Sequence, residues 1–239
     1  MAPVSRRAAF TGGVGLAAAA GGLVLAGCAR PKGDDGDVSA VEDLMREHGV
    51  LRRILVIYRQ TATVLRAGGA PLDVAALGQA AALFRTFGED YHEKKLEEQH
   101  IFPAVQKAGG EAAALVATLL AQHDRGREIT AFIEARCRAG KLGVADAEPV
   151  ANALEGFARM YEAHTAFEDT IVFQAWRKTL SAPQLKEIGD QFEDIEKAQF
   201  KGDGFDLAVD QLRGIEQRLG LADLSRYTAA PVGAPAQAR

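Results

Sequence analysis

Apolar stripes at alternating three- and four-residue spacing run through this chain, and four successive stripes each carry one histidine. The first reads Val41, Leu44, His48, Leu51, Leu55, Tyr58, Ala62 and Leu65. That spacing places all eight on one helical face. On the second segment Phe84, Phe87 and Tyr91 mark the inner face, with His92 beside them. The third runs Val116, Leu119, His123, Gly126, Thr130, Ile133, Cys137, and the fourth Val150, Leu154, Phe157, Tyr161, His164, Glu168, Ile171. Four long amphipathic helices with short connections predict an all-α, up-down four-helix bundle. No strand-like alternation competes with it, and no repeat of about 20 to 50 residues is present.

Punctuation sets the boundaries. Ser39-Ala40-Val41-Glu42 reads as a capping box that opens the first helix, and Gly68-Gly69 followed by Pro71 closes it. The second helix is expected from about Asp73 to Lys107, before Gly109-Gly110. The third runs from about Glu111 to Arg138, before Gly140, and the fourth from about Asp146 to Thr179. Ser181-Ala182-Pro183-Gln184 starts a fifth helix, to about Phe200, and a sixth covers Phe205 to Leu219. These two pack outside the bundle. The resulting division is a leader over 1–28, a linker over 29–38, the bundle over 39–180, a helical extension over 181–225 and a disordered tail over 226–239, rich in alanine and proline.

Helix rise brings the four histidines to one level. At about 1.5 Å per residue, His48 lies about 13 Å up the first helix, His92 arrives at about 14 Å, His123 at about 12 Å and His164 at about 9 Å. Burying four imidazoles in a core is costly unless something pairs with them, and a metal pair satisfies them together. Glu168 follows His164 by four and faces the same way, whereas Asp169 turns from the stripe and is a second choice. On the second helix, five-residue steps from Tyr91 to Leu96 and from His92 to Glu97 predict a π-type turn. Glu97 is then a bridging ligand and Glu93 a terminal one, and a regular helix would present Glu98 instead. His100 falls off the level and reads as a supporting or surface residue. Tyr58 and Tyr161 read as core aromatics, and Cys137 as a small buried hydrophobe. Mixed imidazole and carboxylate donors suit iron, with manganese or zinc as alternatives.

The N-terminal segment has the layout of an export signal: Arg6-Arg7, an uncharged alanine- and glycine-rich run from Ala8 to Ala29, and small residues before Cys28. The twin arginine resembles the signal of the pathway that exports folded proteins, with Phe10 one place later than usual there. Leu25-Ala26-Gly27-Cys28 resembles a bacterial lipobox, which would make Cys28 a lipidated first residue on the outer side of a bacterial membrane. A plain signal or an uncleaved anchor is the alternative. A lipidated Cys28 leaves Cys137 no internal disulfide partner. The net charge of -4 and the lack of a basic block argue against nucleic acid.

The motifs Glu47-His48, Tyr91-His92-Glu93 with Glu97-Glu98 and Phe102-Pro103, Gln122-His123, and His164 with Glu168 resemble the hemerythrin-like, HHE-type domain over about Val41 to Leu180. The resemblance implies a non-haem di-iron centre inside the bundle. It gives His48, His92, His123 and His164 as terminal ligands and Glu97 and Glu168 as bridges. Two departures stand out. Oxygen-carrying hemerythrins place a second histidine four residues after the third-helix one, where this chain has Arg127. The step from His92 to Glu97 is one residue longer than usual. The expected function is an exported di-iron protein that binds or senses oxygen, nitric oxide, peroxide or iron. The alternatives are a di-iron oxidoreductase of peroxidase or nitric oxide reductase type, and a metal-free structural lipoprotein. No flavin or NAD fingerprint identifies a redox partner.

Overall fold

The computed structural model describes residues 38–68 and 71–232. The described residues form six helices and no strand. Helix α1 is Ala40–Ala67. Helix α2 spans 74–108 as three consecutive parts, Val74–Leu83, the wider Phe84–Ile101 and Phe102–Ala108. Helix α3 is Gly110–Cys137. Helix α4 spans 144–178 as Val144–Phe167, the wider Glu168–Val172 and Phe173–Lys178. Helices α5 and α6 are Ala182–Phe200 and Gly204–Arg218, and a 3-10 turn follows at Leu224–Tyr227.

Local chemistry accounts for these limits. The Ser39 hydroxyl accepts from the Glu42 amide, Asp73 caps α2 through the Ala76 amide, and Asp203 caps α6 through the Asp206 amide. Gly109 and Gly110 both have positive φ, which lets the chain reverse within two residues between α2 and α3. The chain at 226–227 lies inside the 3-10 turn, where the Tyr227 hydroxyl donates to the Leu221 carbonyl. The tail expected from 226 therefore begins within a turn.

Consecutive helices are neighbours, α1 beside α2, α2 beside α3, α3 beside α4, and α4 packs back along α1. This is the up-down bundle. Its core includes Leu44, Leu51, Ile54, Tyr58, Phe84, Phe87, Val116, Ile133, Leu154 and Phe157, all buried. Helices α5 and α6 lie across the α1–α2 side. There Trp176 stacks on Phe192, Phe200 meets Phe87 and Tyr91, and the Arg53 guanidinium makes paired hydrogen bonds to Glu216. The α3–α4 side carries no such cover among the described residues.

The two wide turns set which residues face inward. At the end of the first, the Phe102 amide bonds the Glu97 carbonyl five residues back. The expected five-residue steps are therefore present, although the wide geometry extends over the whole of Phe84–Ile101 rather than one turn. The second was not anticipated: the Phe173 amide bonds the Glu168 carbonyl. It shifts the inner face by one position, so Val172 is buried in place of Ile171 and Asp169 is carried inside.

Candidate metal centre

His48, His92, Glu97, His123, His164 and Glu168 converge at one level of the bundle, each at most 3% exposed. They form two facing pairs. The Nε2 atoms of His48 and His92 are 3.0 Å apart, and those of His123 and His164 are 3.2 Å apart. Glu97 lies between the pairs, with Oε1 3.2 Å from His92 Nε2 and Oε2 3.3 Å from His123 Nε2. Glu168 Oε2 is 3.0 Å from His164 Nε2 and 3.5 Å from His48 Nε2. The donor atoms of Glu97, His123, His164 and Glu168 fall within 4.8 Å of one another, as do those of His48, His92 and Glu97. Glu97 belongs to both groups.

Each imidazole is oriented from behind. Glu47 on α1 takes His92 Nδ1 on α2 at 2.6 Å. Glu98 on α2 takes His123 Nδ1 on α3 at 2.9 Å. Gln122 on α3 takes His164 Nδ1 on α4 at 2.9 Å, and Asp169 on α4 takes His48 Nδ1 on α1 at 2.7 Å. The links close into a ring, each helix holding the histidine of the next. An acceptor behind Nδ1 puts the proton there and leaves the Nε2 lone pair facing the centre, the arrangement seen behind metal-bound histidines.

Three observations test the fit to metal ions. Both oxygens of Glu97 and both of Glu168 are buried without a hydrogen-bond partner, which an acidic core does not tolerate unless a cation is the partner. Nitrogens about 3.0 Å apart match two ligands at right angles around one ion, each about 2.1 Å from it. Charge is the third. Glu47, Glu93, Glu97, Glu98, Glu168 and Asp169 surround the site, and Arg52 and Arg127 are the arginines paired with them. Two divalent ions supply the four positive charges that balance the set. Without them burial penalises the charged forms. It holds the Glu168 carboxyl well above the usual range, with the Glu97 charge adding to the effect, and it lowers His164 to about 4. Burial alone would also depress His92 and His123, but Glu97 and Glu47 hold His92 well above its usual value, and Glu93, Glu97 and Glu98 raise His123 to about 10.

Glu93, expected as a terminal ligand, lies outside the two groups that share Glu97 and instead joins Glu98 and His123 in a third group whose donor atoms fall within 4.8 Å of one another. Its Oε1 accepts from the Tyr161 hydroxyl at 2.7 Å, and its Oε2 is 3.5 Å from Arg127 Nη2 and 3.8 Å from His123 Nδ1. It faces the back of His123, where the nitrogen already bonds Glu98. Arg127 bonds Glu98 as well. Asp169 is an orienting group, bonded to His48 and Arg52. His100 meets Phe192 edge to face, away from the cluster. Cys28 lies outside the described residues. Sequence reasoning passed over Glu47, Glu98, Gln122 and Asp169 as orienting groups. For Glu47 and Gln122 a signal existed, since each directly precedes a histidine, but each serves a different histidine from the one it precedes.

A helical bundle with a buried histidine–carboxylate cluster able to hold cations is the class this geometry defines. The hemerythrin HHE cation-binding domain model matches residues 39–176, and the chain belongs to that family. It is 38% identical over 225 residues to the uncharacterized protein Mb2018 of Mycobacterium bovis, an alignment that covers 89% of this chain and 87% of the relative. The same identity and coverage relate it to the uncharacterized proteins MT2051 and Rv1995 of two Mycobacterium tuberculosis strains. No solved structure matches the chain.

Proposed function

We propose that the protein holds two iron ions and uses them to bind or sense a small molecule such as oxygen, nitric oxide or peroxide. The observation that carries this reading is the pair of fully buried, unpartnered carboxylates, Glu97 and Glu168, set between two histidine pairs. His48 and His92 would hold one ion and His123 and His164 the other, with Glu97 and Glu168 shared. Mixed imidazole and oxygen donors suit iron over softer metals. Bound iron would supply a redox-active ion able to take up a gas. The protein's own part is to fix the imidazoles through their Nδ1 partners and to keep bulk water out. Iron analysis and the oxidised-state spectrum of purified protein test the reading. About two iron atoms per chain are expected. Metal well below one equivalent after iron loading would instead favour a structural bundle without metal.

A turnover reading has one observation in its favour. The buried Tyr161 hydroxyl donates to Glu93, and Glu93 faces Arg127, whose side chain is 26% exposed, so a polar path leads from beside His123 toward solvent. Turnover with peroxide or nitric oxide separates an oxidoreductase from a binding module. Export and lipid attachment at Cys28 are part of the proposal and rest on the Leu25-Ala26-Gly27-Cys28 sequence. Among the described residues no helix is long and apolar enough to cross a membrane. Cys28→Ala is expected to move the protein from the membrane to the soluble fraction. An unmodified Cys28 in mass spectrometry would refute the anchor.

A further inference from the structure

The two halves of the centre are not equivalent. An aromatic ring backs each half, Phe173 stacked 5.3 Å from His48 and 6.4 Å from His92, and Phe102 stacked 5.5 Å from His123; the difference lies beyond the rings, around Phe173 and beside His164. Behind Phe173, on the His48–His92 side, Trp176 stacks on Phe192 of α5, and Arg52 closes over Asp169. On the His123–His164 side, a hollow of about 150 Å³ opens between α3 and α4. Leu119 and Phe167 give it an apolar lining, Thr118 and Ala163 stand at its exposed rim, and His164 with its partner Gln122 forms part of its wall. Phe167 is 49% exposed, unusual for so large an apolar side chain. Here the imidazole itself meets the hollow.

The orienting groups differ in the same sense. His48, His92 and His123 are each backed by a carboxylate, whereas His164 is backed by the neutral amide of Gln122. A carboxylate behind Nδ1 makes an imidazole a stronger donor. The half containing His164 therefore leaves more positive character on its ion.

We propose that the α3–α4 hollow is the way in for a small, neutral, apolar molecule of diatomic size, and that this molecule is taken up on the His123–His164 side. An apolar lining admits a neutral gas and disfavours anions, which would lose their hydration without a compensating charge. The hollow is large enough for a xenon atom, which favours apolar surroundings. The inference rests on iron occupancy for its second half only, so the test has two arms. In the metal-free protein, xenon should bind beside Leu119 and Phe167, and the double variant Thr118→Phe, Ala163→Phe should abolish it. Both positions are exposed, so the larger rings need not enter the core. In the iron-loaded protein, the double variant should keep its iron and combine with nitric oxide about tenfold more slowly, while Phe167→Ala should not slow it. No xenon in the hollow, or an unchanged nitric oxide rate with full iron content, overturns the inference. Iron below one equivalent overturns the proposed function instead, and the xenon arm then decides whether the hollow takes up apolar gas.

Discussion

His164→Ala removes an imidazole that faces Glu168 at 3.0 Å and leaves that carboxylate buried beside a void. Iron content should fall sharply, and with it the stabilisation that a ligand of the folded state gives, about 3 kcal/mol at a hundredfold excess over its dissociation constant. His100→Ala should keep both iron and melting temperature, because its ring meets Phe192 and not the cluster. Equal loss of iron in the two variants would contradict the assignment. Asp169→Ala tests an orienting group: metal affinity should weaken by about 10- to 100-fold, read by competition with a chelator. Cys137 is a different matter. It is 6% exposed and burial pushes its thiol up to about 11, so a thiol reagent at pH 8 should label it only after denaturation. At this scale the sequence was informative where helical periodicity alone decides which way a side chain points. His48, His123, His164 and Glu168 lie on regular stripes. Adjacency of Glu93 to His92 says nothing of the Tyr161 hydroxyl, 68 residues away, that engages it.

The wide turn in α2 was legible because two independent pairs, Tyr91 with Leu96 and His92 with Glu97, demanded the same five-residue step. The wide turn in α4 was not, because Glu168 to Ile171 already satisfies a regular helix and the neighbouring Val172 is just as apolar. Only packing chooses between them. Tight contact between elements makes its own prediction. A Cβ at Gly126 on α3 would collide with the Tyr161 hydroxyl on α4 and stand 2.9 Å from two of its ring carbons. Gly126→Ala should therefore destabilise the fold by about 1–3 kcal/mol, the usual cost of overpacking, despite alanine's better helix propensity. Paired with Tyr161→Leu the loss should be less than additive in thermal melts. Additive losses would mean that the two helices do not meet there.

For the whole molecule, chelation should lower the melting temperature without abolishing the helical signal, since each helix carries an apolar face of its own. Circular dichroism with and without a chelator reads both quantities. The overall architecture was open to reading because stripes, caps and glycine breaks agree with one another. The placement of α5 and α6 over α1 and α2 was not, since nothing in their amphipathic pattern says which face of the bundle they choose. The ring of histidine links has a consequence of its own. Glu47, Glu98, Gln122 and Asp169 each hold the imidazole of the following helix, and the last holds that of the first. Sliding any one helix by a turn, about 5.4 Å, breaks two links at once, so the four helices share a single permitted register. A closed cycle also has no first member. A circular permutant opened between Gly109 and Gly110 preserves every link, whereas exchanging α2 with α3 in the chain order destroys the cycle while leaving the composition untouched.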